Sequence, residues 1–186
     1  MKRTNFATHV AALIVVTILC GLIYATVQQS HRSVANDPQL QIASDLKSAI
    51  EHNHPVAQWM NGDSIDISQS LSVFKTLYKK NGAPLQSTGF LDGQLPQIPR
   101  GVLDFTNKYG EDVITWQPGQ GVRIALVVEA VASPEIGYVV AGRSLREVEK
   151  RESDLTTMVL VAWLICSGVI LLHFLLSYFS YKNQTK

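Results

Sequence analysis

The sequence predicts an α+β protein: an antiparallel sheet of about five strands with flanking helices, bracketed by two transmembrane helices. Three observations predict it. Residues 4–30 and 155–181 carry no Asp, Glu, Lys or Arg and are rich in Leu, Val, Ile and Ala. Between them lie apolar or alternating stretches of strand length, punctuated by turn dipeptides. Helical periodicity opens and closes that middle segment. The chain divides accordingly into a tip and first membrane helix over 1–30, an outer domain over 31–154, and a second membrane helix with a short tail over 155–186.

A membrane helix needs roughly 20 apolar residues at about 1.5 Å each, and both runs are long enough. The first begins on Lys2 and Arg3, as a secretory signal does, but its apolar stretch exceeds the roughly 7–15 residues of a signal core. Ile23 stands where a cleavage site wants a small residue, and Leu19 precedes Cys20 where a lipoprotein signal wants one. An uncleaved anchor is expected. All 15 acidic residues lie between Asp37 and Asp154, whereas the tips carry only Lys2, Arg3, Lys182 and Lys186. Short basic tips favour the cytoplasmic side, and a long middle domain is translocated largely regardless of charge. This predicts a two-span membrane protein with both termini in the cytoplasm and the domain outside. The whole-chain charge of +1 gives no support for nucleic-acid binding. Cys20 and Cys166 both sit in the apolar runs at similar distances from their cytoplasmic helix ends, so a shared depth is expected, as packing residues and not a redox pair.

In the outer domain, "NDPQLQIASDLKSAIEH" predicts a helix starting at Asp37 as cap and Pro38 in the first turn, with Leu40, Ala43, Leu46 and Ile50 as its stripe. "LSVFKTLYKKNGAPLQSTGFL" predicts two strands joined at Asn81-Gly82. Prolines precede a short helix in "LPQIPRGVLDFTNKYG", which Gly110 stops. Three further strands follow in "EDVITWQ", "GVRIALVVEAVA" and "GYVVAGRSL", with turns at Pro118-Gly119-Gln120 and Ser133-Pro134-Glu135. Val113, Ile124, Leu126, Val128, Val139 and Val140 are the expected core of that sheet.

"NDPQLQIASD", "GFLDGQLPQIPRGVLDF", "WQPGQGVRIALVV" and "GYVVAGRSLREVEKRE" together resemble the extracytoplasmic PAS-like (Cache-class) sensor modules of bacterial two-span signalling proteins. The resemblance covers roughly residues 33–152. It implies a sensor or regulatory role without catalysis, and a last strand feeding directly into a helix that crosses the membrane. Sensor kinases and chemoreceptors continue into an output domain, whereas this sequence ends six residues after Ser180, so output is expected through a partner. That partner is another membrane signalling protein or a second copy of the chain, alongside the bilayer itself. The alternative is a structural or assembly factor with no small ligand.

At the strand-to-membrane junction, Leu145, Val148, Leu155, Val159 and Ala162 recur at helical spacing, interrupted by Glu152. One continuous helix is expected from about residue 145 to 180. Its charged start either transmits displacement or merely marks the membrane surface.

The resemblance also implies a pocket between sheet and short helix, which selects Tyr78, Arg100, Trp116 and Arg123 as ligand-binding candidates. An Arg with aromatic walls suits a carboxylate or phosphate on a small organic molecule. The plainer alternatives are a core position for Trp116 and a strand-surface charge for Arg123. A space filled by side chains favours the assembly factor; an open pocket lined by Arg and Trp favours the sensor. No catalytic motif or spaced metal-ligand set stands out, no cofactor is expected, and "HNH" at 52–54 reads as a solvated helix end. In the apolar runs, His9 and His173 face other helices, so they either pair or mark a partner surface. Thr17, Gly21 and Ala25 form a small-residue stripe suited to helix packing.

Overall fold

In a computed structural model the chain is described over residues 2–62 and 64–184. The side chains of residues 2–5, 32–35, 181 and 184 lie outside that description, as does the whole of Lys186, so nothing is described of the charged groups at the basic ends Lys2, Arg3 and Lys186. The structure divides into two compact units: residues 32–149, and residues 1–31 with 150–186.

The unit spanning 32–149 is an α+β domain. Its helical elements are α1 (Lys2–Glu51, which enters the domain from the other unit), α2 (Ala57–Met60), α3 (Arg100–Tyr109) and the start of α4 (Arg146–Gln184). Its strands are β1 (Ile65–Asp66), β2 (Phe74–Lys79), β3 (Pro84–Ser87), β4 (Gly89–Phe90), β5 (Glu111–Gly119), β6 (Val122–Ala130) and β7 (Ile136–Ser144). Five strands form an antiparallel sheet in the order β3-β2-β7-β6-β5, while β1 and β4 make a small parallel pair.

Strand alternation assigns residues to two cores. Ile124, Leu126 and Val128 face one side of the sheet with Tyr78, Trp116, Val140 and Leu103 of α3. Val127, Val139 and Ala141 face the other with Ala43, Leu46 and Ile50 of α1. Because helices cover both faces at the sheet centre, β6 and β7 read as continuous apolar runs and not as strict alternation.

The β2–β3 turn forms as expected at Asn81-Gly82, with Gly82 at φ +84° and the Lys79 N–H donating to the Ala83 carbonyl at 2.8 Å. Gly110 closes α3 at φ +92°, a backbone angle that L side chains rarely adopt. The β5–β6 turn falls later than expected. β5 runs through Gly119, and the residue with positive φ is Gly121 at +75°. Pro118 is tolerated in the strand because β5 is an edge and its register slips between Trp116 and Gly119.

Two further expectations are corrected. No separate helix starts at Asp37; α1 runs through it with Pro38 inside. A proline there removes one backbone donor and crowds the preceding turn, yet nothing in "YATVQQSHRSVAN" supplies a break, and the stripe of Gln39, Ala43 and Leu46 beyond it is fully buried. Val113 is 40 % exposed although the other five expected core residues are at 0 %. It is registered beside the buried Val127, but on the outermost strand, beyond the cover that α1 gives the centre.

Candidate functional site

The four residues selected from the sequence do not converge. Tyr78 and Trp116 join the core between sheet and α3. Tyr78 is fully buried, and its hydroxyl donates to the Pro96 carbonyl at 2.7 Å; burial pushes the phenol well above its ordinary pKa. Arg100, the first residue of α3, is exposed. Arg123 is exposed and pairs with Glu149 at the start of α4. The space expected to be a pocket is filled by Ile98, Leu103, Leu126 and Val128. Strand alternation explains why Arg123 cannot reach it: its neighbour Ile124 faces α3, so Arg123 faces away.

Tyr78 is thus a structural anchor for the loop leading to α3. Tyr78→Phe leaves the buried Pro96 carbonyl without its donor and is expected to cost about 1–2 kcal/mol. A lowered urea midpoint checks this; an unchanged midpoint would mean that the hydroxyl does not hold the loop.

A cleft of about 500 Å³ does exist outside that core, between residues 91–97 and Trp116, Gln117 and Pro118. Its polar groups are Asp92, Gln94, Gln97 and Gln117, and no arginine lines it among the described residues. It is a surface feature with one carboxylate, the opposite of the anion site expected. His52 and His54 are exposed with ring centroids 6.2 Å apart, and His52 Nδ1 lies 2.8 Å from the Ser48 carbonyl, as a helix end would have it.

The second unit, residues 1–31 with 150–186, brings together residues that the sequence left open. His9 Nε2 and His173 Nδ1 are 2.8 Å apart with the rings stacked, so the two histidines pair with each other. Thr17 Oγ1 accepts from Trp163 Nε1 at 3.0 Å and donates to the Leu13 carbonyl at 2.8 Å. Phe6 and Phe174 meet edge to face. Partly buried positions recur at helical spacing, His9, Ala12, Val16, Cys20 and Tyr24 in α1 and Val159, Trp163, Ser167, Ile170 and Phe174 in α4. The seam therefore runs through Trp163 and not through the exposed Ala162.

Thr17, Gly21 and Ala25 are all exposed, off this seam, and a Cβ at Gly21 would meet nothing within 4 Å. Within the chain only Thr17 of that stripe takes part, through its hydroxyl. The shared depth expected of the cysteines fails. The His9–His173 and Thr17–Trp163 contacts set an antiparallel register, with Cys20 three residues beyond Thr17 one way and Cys166 three beyond Trp163 the other. At about 1.5 Å per residue the Thr17–Trp163 contact separates them by roughly 9 Å along the axis and the His9–His173 contact by roughly 6 Å.

The His9, Trp163 and Ser167 side chains line an open-sided cavity of about 360 Å³ whose remaining walls are apolar and include the exposed Phe6 and Leu171. The Ser167 hydroxyl oxygen is buried and has no hydrogen-bond partner among the described residues. An orphaned buried polar group of this kind costs about 1–3 kcal/mol. Sequence reasoning missed Ser167 and Trp163, although their four-residue spacing on an aliphatic helix was there to read.

No protein-family model matches this chain, and no curated protein matches it in sequence.

Proposed function

We propose that the chain is a non-catalytic regulatory subunit of a bacterial inner membrane. It crosses the bilayer twice, holds its PAS-like domain outside the cytoplasm, docks there on another membrane protein and relays that contact through its helices. The observation that carries this reading is the junction: β7 ends at Ser144, and α4 begins at Arg146 and continues without interruption to Gln184. Both α1 and α4 contain stretches long and apolar enough to span a membrane. A protein partner is favoured over a small ligand on the domain because the space between sheet and α3 is filled by side chains. α3 also presents an exposed aromatic pair, Phe105 and Tyr109, with centroids 4.5 Å apart and Lys108 above the Tyr109 ring. Exposed aromatics held this way are a common docking feature. The filled space under α3 is also the outcome that favours an assembly factor with no small ligand, which would dock in the same way; the relay rests on the unbroken passage from β7 into α4. The cleft beside Trp116 favours a second reading, a small polar ligand on the outer domain.

The first test is topological. A reporter active only outside the cytoplasm, inserted at the exposed loop tip Gly93, is expected to be active, and the same reporter after Lys186 inactive. The reverse pattern ends this reading. A photo-crosslinker at Phe105 in the native membrane then tests docking; crosslinking to no membrane protein would remove the partner.

A further inference from the structure

We propose that the paired apolar helices hold a binding site for a lipid-soluble, flat-ring ligand that bears carbonyl oxygens, the chemistry of a quinone. The proposal rests on the membrane reading above, since such a ligand reaches the site from the acyl phase. Phe6, Trp163 and Phe174 give the cavity of about 360 Å³ aromatic walls, which suit a flat ring. Its volume lies within the roughly 300–1,000 Å³ of ordinary ligand pockets.

The Ser167 hydroxyl decides the ligand chemistry. A serine or threonine inside an apolar helix ordinarily donates to the carbonyl four residues back. Thr17, Thr156 and Thr157 in these two helices do so, at 2.8, 2.8 and 3.0 Å. Ser167 does not; its oxygen is buried beside the cavity without a partner. Hydrocarbon supplies no water to satisfy it and an acyl chain has no acceptor, whereas a ring carbonyl accepts its proton. Trp163 is already committed to Thr17 through its N–H, so its contribution to the cavity is the ring. His9 is fixed by His173 and gives the wall a second polar edge. Among the described residues no Asp, Glu, Lys or Arg lines the cavity, which suits a neutral ligand and not an ionic one. With the outer domain's core filled, this site gives a regulatory subunit a chemical input from within the bilayer.

The test uses the full chain in phosphatidylcholine nanodiscs with duroquinone as probe and tryptophan emission as readout. Partition into lipid quenches in proportion to concentration; binding adds a saturable component, which is expected here. Ser167→Ala is expected to weaken that component about tenfold, the equivalent of one lost hydrogen bond. Ser167→Leu, an apolar change on an apolar helix, fills the cavity and is expected to abolish it. Durene, the same ring without carbonyls, is expected not to compete. Purely linear quenching, unchanged curves in both Ser167 variants, or displacement by durene at the same concentration as duroquinone each overturns the proposal. Carbonate extraction separates the two readings. A chain retained in the membrane without saturable quenching fails this proposal alone; a chain released by carbonate takes both down.

Discussion

Leu126→Ala is expected to unfold the domain over residues 32–149 at a much lower urea concentration than the unaltered chain. Leu126 lies on β6, is fully buried, and packs in the cluster that includes Phe74, Tyr78 and Leu103. Its strand is hydrogen-bonded on both sides, to β5 and β7, so the backbone cannot close over the space that a smaller side chain leaves. Truncating a large aliphatic in such a place costs about 2–5 kcal/mol, the transfer loss plus the residual cavity. Both cysteines lie outside the domain, so no disulfide limits the damage. A domain whose whole stability is of order 5–15 kcal/mol loses a large share of it. The control is Val113→Ala on β5. Val113 is 40 % exposed, so its truncation is expected to stay within about 0.5 kcal/mol. Equal urea midpoints for the two variants would show that the sheet order is wrong.

Lys47→Met is expected to be nearly as damaging, for an electrostatic reason. Glu129 points from β6 toward α1 and is only 7 % exposed. Lys47 Nζ reaches its carboxylate at 3.1 Å, the one cation paired with it among the described residues. Removing the lysine leaves a buried carboxylate uncompensated, which costs about 3 kcal/mol, the low end for such a loss because Lys47 itself is partly exposed. Replacing both partners by apolar residues removes the unpaired charge. Lys47→Met with Glu129→Leu is therefore expected to recover most of the stability lost in the single variant. Urea midpoints of the four proteins in the cycle measure this. If the double variant is as unstable as the sum of the singles, the pair does not join α1 to the sheet.

These two residues also mark where sequence reading stops. Leu126 was readable as core because the alternation of Ile124, Leu126 and Val128 is a property of the strand alone. Glu129 interrupts the same apolar run, and nothing near it in the chain says what it meets. Its partner lies on the opening helix, a contact that exists only once α1 packs on the sheet. The candidate site failed for the same reason. Tyr78, Arg100, Trp116 and Arg123 were grouped by an implied pocket, but alternation turns Arg123 away from the core and Arg100 opens α3 on its exposed side. By contrast, the pairing of His9 with His173 was one of two alternatives open in the sequence, because apolar surroundings leave a polar ring few partners, and the structure brings the two rings together.

The sequence by itself determined the two charge-free helical stretches, the hairpin at Asn81-Gly82, the stop at Gly110 and the five main strands. Each follows from a local quantity: apolar length, side-chain period, or a backbone angle that glycine adopts freely. Only the tertiary structure decided that Pro38 stays inside a helix, that Val113 lies on an edge, that the space under α3 is filled, and that the buried Ser167 hydroxyl finds no partner among the described residues. Those outcomes depend on which distant segment covers a given face. Burial and hydrogen-bond satisfaction are properties of contacts between segments, so no window along the chain contains them.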